Sequence, residues 1–250
     1  MENNNESRTA TLFGIRLAVG KREELLGACV NLIGKGGAIS TVNSEILYDS
    51  LKNPELASAL SESLCIPDGV GVERAVRKLG YECERLPGVE LGEELLEKKV
   101  VTLGIIGGEE GVAKEAMERL VMRHKNVIPE FVVSGYSIDY GNFKKILSER
   151  QPDIVFVCLG SPRQEIFIKE MRGISPKTLF IALGGSVDVY SGRKKRAPRF
   201  VRRLNCEWIY RIIKEPKRIK RLPKLLGFML NSVRKEGVRV KIGKKVEKIR

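Results

Sequence analysis

The chain has 250 residues, 42 % apolar and 30 % charged, which suits one sizeable α/β domain with an appendage and a charged, soluble surface. Its formal charge of +14 is unevenly spread: Arg193 to Arg250 holds 22 Lys and Arg against four Asp and Glu, while the first 192 residues hold 23 against 27. The basic block implies a polyanionic partner (nucleic acid, anionic lipid headgroups or a phosphorylated substrate), and the lack of any run of 18 apolar residues excludes a bilayer-spanning helix.

The predicted elements alternate. After a polar start, LFGIRLAV reads as extended and KREELLGACVNLIGKG as a helix closed by glycines. GAISTVN is a strand leaving at Thr41-Val-Asn43; SEILYDSLKN and PELASALSESL are helices, the second opening on Pro54, a favoured first-turn residue. The strand LCIPDG precedes the helices VGVERAVRKLG and GVELGEELLEKK. Then come the strand VVTLGIIGG, the helix EEGVAKEAMERLVMRH, the extended NVIPEFVVSGY and the helix NFKKILSER. The strand DIVFVCLG, the helix RQEIFIKEMRG and the strand TLFIALGG complete a core over residues 1–195. Near-continuous apolar strands, each followed by a helix, predict a Rossmann-like parallel sheet covered on both faces. Residues 196–250 form a basic appendage, read as two helices separated around Pro216 and broken again near Pro223, with a basic tail.

The polar N-terminus lacks the basic-then-apolar layout of a signal peptide, so a cytoplasmic location is expected. The five cysteines (Cys29, Cys65, Cys83, Cys158, Cys206) are odd in number and form no CxxC pair, a poor basis for disulfides or zinc. Cys158 is expected as a buried small hydrophobe. The single histidine, His124, reads as a solvated helix-end residue, which argues against Ser-His-Asp and Cys-His catalysis.

Three strands end in glycine turns, at Gly107-Gly108, Gly160-Ser161 and Gly184-Gly185. In a doubly wound sheet ligands bind at these edges, and three such turns favour a nucleotide site over plain turn chemistry. Asp68, in Pro67-Asp68-Gly69, suits a general base and equally a helix cap. Thr41 and Asn43 can bind hydroxyls, or Asn43 can cap the next helix. Arg85, in a proline-glycine turn, can hold a phosphate or an acetamido oxygen, or stand in solvent. Gln164 and Glu165 fall in a first helical turn at the sheet edge, where they face a ligand or simply complement the helix dipole. Arg211, Arg218 and Arg221 are guanidiniums suited to bidentate contact with diphosphate, or are solvated like most arginines of a basic segment.

Taken in order, Thr41-Val-Asn43, Pro67-Asp68-Gly69-x-Gly71, Arg85-x-Pro-Gly88, Gly160-Ser-Pro-Arg-Gln164-Glu165, Gly184-Gly185-x-x-Asp188, Arg196-Ala-Pro198, Glu207-Trp208-x-x-Arg211 and Glu215-Pro216-x-Arg218-x-x-Arg221 resemble the WecG/TagA/CpsF glycosyltransferases, from about Leu12 to about Arg221. The departures are mild. The family often has Thr-Pro-Asn at Thr41-Val-Asn43, aspartate near Glu90, and Gly-Val-Gly-Gly before Ser186.

The resemblance implies inverting transfer of N-acetylmannosamine from UDP to GlcNAc on undecaprenyl diphosphate. The β-linked lipid disaccharide would prime wall teichoic acid or a related surface polymer; N-acetylmannosaminuronic acid or another hexosamine is the alternative sugar. Asp68 is the expected base, with Thr41 and Gln164 positioning the sugars. Asn43, Arg85, Arg211, Arg218 and Arg221 are expected to bind substrate and diphosphate. Gly107, Gly108, Tyr136, Gly160, Gly184, Gly185 and Asp188 are expected at the nucleotide. Neither a metal nor an organic cofactor is implied, and no DxD pair sits beside a strand. Arginines would then neutralise the departing diphosphate. The expected partners are the UDP-sugar, the polyprenyl-diphosphate acceptor and the anionic inner face of the cell membrane, with room for self-association. A nucleic-acid-binding reading explains the basic block but not the ordered motifs, and the absence of a strand-GxGxxG-helix unit disfavours a nucleotide-dependent oxidoreductase.

Overall fold

A computed structural model describes residues 8–136, 138–204, 207–233, 240–242 and 245–247. In chain order, the hairpin β1 (Thr9–Leu12) and β2 (Ile15–Ala18) leads to α1 (Arg22–Val30), β3 (Gly37–Val42), α2 (Ser44–Ser50), α3 (Pro54–Ser61), β4 (Leu64–Pro67), α4 (Val70–Lys78) and α5 (Gly88–Lys98). There follow β5 (Val101–Gly107), α6 (Val112–Arg123), β6 (Val127–Val133), α7 (Tyr140–Arg150), β7 (Ile154–Cys158), α8 (Arg163–Met171), β8 (Leu179–Ala182) and α9 (Ser186–Tyr190). The basic segment contributes α10 (Arg199–Arg203), α11 (Glu207–Lys214), a 3-10 turn over Pro216–Arg221, α12 (Leu222–Val233) and a pair of short antiparallel strands, β9 (Val240–Ile242) and β10 (Lys245–Glu247).

The first eight strands form one sheet in the order β1-β2-β4-β3-β8-β7-β5-β6, parallel except for the β1–β2 hairpin. Alternation along each strand divides the core. Ile39, Ile66, Ile105, Phe156 and Ile181 pack with α1, α5, α6 and α9 on one face. On the other face, Val42 and Cys65 meet α2, α3, α4 and Phe228 of α12, while Val155, Val157 and Phe180 meet α7 and α8. Each fully buried aliphatic or aromatic side chain contributes about 1.5–3 kcal/mol, so these two faces dominate the stability of the core.

Three expectations are corrected. The extended N-terminal run is a hairpin: Phe13 and Gly14 both take positive φ (54° and 80°), the backbone that a two-residue turn needs to match strand twist. The strain at Phe13 is offset where its ring packs edge-on against Phe228, with centroids 5.5 Å apart. The first appendage helix is two, α10 and α11. The break expected near Pro223 is the passage from the 3-10 turn to α12, and Pro223 sits in the first turn of α12, where its missing N–H costs nothing. His124 does end α6, yet its side chain is only 9 % exposed, with Nδ1 4.0 Å from Glu97, so it is not solvated.

Candidate active site

Because the strands on both sides of the β3–β8 seam run parallel, their C-terminal ends form one edge. Leaving β3 the chain enters α2 on one face; leaving β8 it enters α9 on the other. The seam is therefore the switch point at which an open α/β sheet forms its crevice. Thr41 and Asn43 leave β3, Asp68 leaves β4, Gly184 and Gly185 leave β8, Gly160 leaves β7, and Gly107 and Gly108 close β5. Tyr136, 77 % exposed, follows β6 on a turn whose Gly135 N–H donates to Gly108 O at 2.9 Å.

The seam is pinned by two of the expected sugar-positioning side chains. Thr41 Oγ1 donates to Ala182 O at 2.9 Å, and Gln164 Oε1 accepts from Gly184 N at 2.9 Å. Both side chains are buried, so each spends this polar atom on the backbone where β8 ends. Gly184 takes a φ of 54°, a left-handed turn open to glycine at little cost. Gly107 (φ 141°) is required by close approach as well, since a Cβ there would collide with the carbonyl of Cys158. Asn43 is a helix cap: its Oδ1 accepts from the N–H groups of Glu45 (2.9 Å) and Ile46 (3.1 Å). Asp68 is half-buried and held by its own N–H, which donates to Val42 O at 2.9 Å. The N-cap of α4 is Gly69, with no side-chain cap, so Asp68 stands one residue outside the capping position.

Sequence reasoning missed the ionic framework around this edge. Glu90 of α5 accepts from Arg22 (2.7 Å), Arg196 (2.7 Å) and Arg202 (3.2 Å), joining α1 and the start of the basic segment to the core. Burial alone would raise its pKa; the guanidiniums of Arg196 and Arg22 outweigh burial and hold the carboxylate below its usual range. Glu165, expected either to face a ligand or to complement the helix dipole, is buried (2 % exposed). Its Oε1 accepts from Gln164 Nε2 at 2.9 Å, and its Oε2 has no hydrogen-bond partner among the described residues. Burial pushes its carboxyl above the ordinary range, an effect that the Gln164 hydrogen bond offsets only in part. Tyr190 was also overlooked: its hydroxyl donates to Val89 O at 2.9 Å, fixing the first turn of α5 against α9.

The remaining expected residues divide by position. Asp188 pairs with Lys194 at 3.1 Å, and Lys194 also reaches Glu215 at 3.4 Å. Arg221 lies 3.2 Å from Glu45 in the first turn of α2, two residues beyond Asn43. Arg211 belongs to α11 and Arg218 to the 3-10 turn; their side chains lie outside the described set, as does Cys206. Burial pushes the thiols of Cys29, Cys65, Cys83 and Cys158 up to about 12, so none is a nucleophile at neutral pH. Among the described residues no group of three or more His, Cys, Asp or Glu could hold a metal ion, and no helix is long and apolar enough to cross a membrane.

The model of the glycosyl transferase WecG/TagA/CpsF family matches residues 10–241, an interval that takes in the whole sheet edge. The chain belongs to this glycosyltransferase family. Two curated relatives carry the name N-acetylglucosaminyldiphosphoundecaprenol N-acetyl-beta-D-mannosaminyltransferase. The one from Bacillus subtilis (strain 168) is 36 % identical over 206 residues, 80 % of each chain. The one from Bacillus spizizenii (strain ATCC 23059 / NRRL B-14472 / W23) is 36 % identical over 197 residues, 75 % of each chain.

Proposed function

We propose that this glycosyltransferase moves N-acetylmannosamine from UDP to GlcNAc-diphospho-undecaprenol, forming a β-1,4-linked lipid disaccharide for wall teichoic acid or a related surface polymer. One observation carries the reading: Asp68, Thr41, Asn43 and the glycine turns converge on the edge at the β3–β8 switch point, in a chain whose relatives are named for this transfer.

The mechanism is a single inverting displacement. The Asp68 carboxylate takes the proton of the acceptor hydroxyl as its oxygen attacks the anomeric carbon and UDP departs. Positioned general-base help of this kind is worth roughly 10²- to 10⁴-fold. Thr41 and Gln164 act by setting the backbone where β8 ends, which seats the sugar and nucleotide. Gly107, Gly108, Gly160, Gly184 and Gly185 let the nucleotide approach the main chain, with Tyr136 and Asp188 at its margin. Arg211, Arg218 and Arg221 neutralise the departing diphosphate, so no metal ion is needed in the step. The basic segment also exposes Phe200, Trp208, Ile213, Leu226 and Met229 among its cations, a combination that supports docking on an anionic membrane surface at its cytoplasmic face.

The test is release of UDP from a panel of UDP-hexosamines, including the mannosaminuronic acid, with a short-chain GlcNAc-diphospholipid acceptor and EDTA present. Release with UDP-N-acetylmannosamine and recovery of the disaccharide are expected. Activity confined to another donor overturns the choice of sugar, and activity restored only by Mg²⁺ or Mn²⁺ overturns the arginine account.

A further inference from the structure

Four arginines from distant parts of the chain line one cleft of about 330 Å³: Arg85, from the segment before α5, and Arg199, Arg202 and Arg203 of α10. The positions i, i+3 and i+4 put the last three on one side of α10. Arg85 is tied to them, since its Nη2 donates to Arg202 O at 3.2 Å. The cleft is short of negative charge. Glu90 is shared among three guanidiniums, and Glu73 reaches Arg85 only at 3.9 Å while pairing with Arg77 at 2.8 Å. Arg199 and Arg203 are exposed and form no ion pair among the described residues. Like charges gathered without counter-ions repel one another, so the arrangement is one that an anion with several oxygens would relieve.

Three further observations fix the kind of anion. The cleft borders the proposed base, because Leu86, next to Arg85, donates its N–H to Pro67 O at 2.8 Å, and Pro67 precedes Asp68. The same short helix carries Phe200 (65 % exposed) and ends on its C-cap residue Leu204 (68 % exposed), one turn on and beside the arginines. Among the described residues only the four arginines line the cleft, with no aromatic or amide side chain to hold a base. We infer that this cleft binds the diphosphate of the lipid-linked acceptor, with the first isoprene units lying along Phe200 and Leu204. It is then a second diphosphate site, apart from the one that holds UDP. The inference rests on the transferase reading for the identity of the acceptor; the recognition chemistry, a diphosphate bearing a polyprenyl chain, does not.

The experiment titrates farnesyl diphosphate and, separately, UDP into the full-length protein and into Arg199→Ala/Arg203→Ala, which removes two exposed side chains and should leave the fold intact, as matching thermal transitions would verify. Farnesyl diphosphate should bind at least tenfold more weakly to the variant, UDP affinity should stay within twofold, and saturating UDP should not displace farnesyl diphosphate from the wild type. With the short-chain GlcNAc-diphospholipid, the acceptor KM should rise at least tenfold in the variant and the donor KM should not. Displacement by UDP would give the cleft to the donor, and equal binding by both proteins, or none by either, would leave it without this role. Equal loss of sedimentation with phosphatidylglycerol vesicles and unchanged farnesyl diphosphate binding would make it a headgroup contact instead. The binding arm needs no turnover, so failure of transfer with every UDP-sugar would sink the transferase reading and leave the cleft to be decided by titration.

Discussion

Glu165 shows how much one buried carboxyl can shape the behaviour of the site. An unfolded chain ionises it near 4.5, whereas in the fold burial keeps its proton to higher pH. As pH rises past 4.5 the unfolded state releases that proton first, so stability falls until the folded pKa is reached, by about 1.4 kcal/mol for each unit between the two values. Glu165→Gln abolishes this titration while keeping a carbonyl for Gln164 Nε2. Urea unfolding followed from pH 4.5 upward should therefore show the variant gaining on the wild type until the folded pKa is passed; a difference that stays constant with pH would remove Glu165 as the cause. Asp68 acts on rate instead. Asp68→Asn should retain UDP binding and thermal midpoint while turnover drops by roughly a hundredfold or more in the UDP-release assay. Near-normal turnover would dismiss it as the base.

At the scale of elements, α5 is the joint between core and basic segment. Its Glu90 is the common acceptor for Arg22, Arg196 and Arg202. Glu90→Gln takes the shared carboxylate from Arg196 and Arg202 and leaves Arg22 with Glu94 alone, and losing charged hydrogen bonds of this kind costs about 1.5–3 kcal/mol. Thermal unfolding should register that loss, and limited proteolysis should cut faster near α10; unchanged proteolysis would mean that α10 is held by other contacts. The strands of the parallel sheet from β3 to β8 and most helices were legible in the sequence because apolar periodicity and terminal glycines are local signals; the β1–β2 hairpin and the β9–β10 pair were not. The Glu90 network was not, since it joins positions 68 to 112 apart. Helix α9 is too short for its period to show, and the Phe13–Gly14 turn depends on a ring from α12 far along the chain. The candidate site was legible as a set of residues, because strand ends are where such an edge must lie. What each side chain does there was not: that Thr41 and Gln164 both hold the exit of β8 follows from parallel neighbours in the sheet, which the sequence does not order.

The whole molecule sets the crevice at the sheet edge beside a strongly basic flank. Deleting residues from Ala197 onward should lower sedimentation with anionic liposomes and also transfer to a soluble acceptor analogue. Because Phe228 is buried against the core, Arg218→Ala/Arg221→Ala is the milder companion variant. Loss of liposome binding with full turnover on the soluble acceptor would confine the flank to anchoring. The seam has a different consequence, for the order in which the enzyme comes into being. Thr41 and Ala182 are 141 positions apart, so while the chain is being made β3 waits unpaired on one side until β8 emerges. Closing so long a loop is a late and slow event, set by topology rather than by local preference. No shorter fragment from the N-terminus can carry the crevice, and a nucleotide bridging the seam would stabilise the finished fold by about 2.7 kcal/mol at a hundred times its Kd. Substrate supply would thus act on how long each newly made copy survives, and not only on how fast it works.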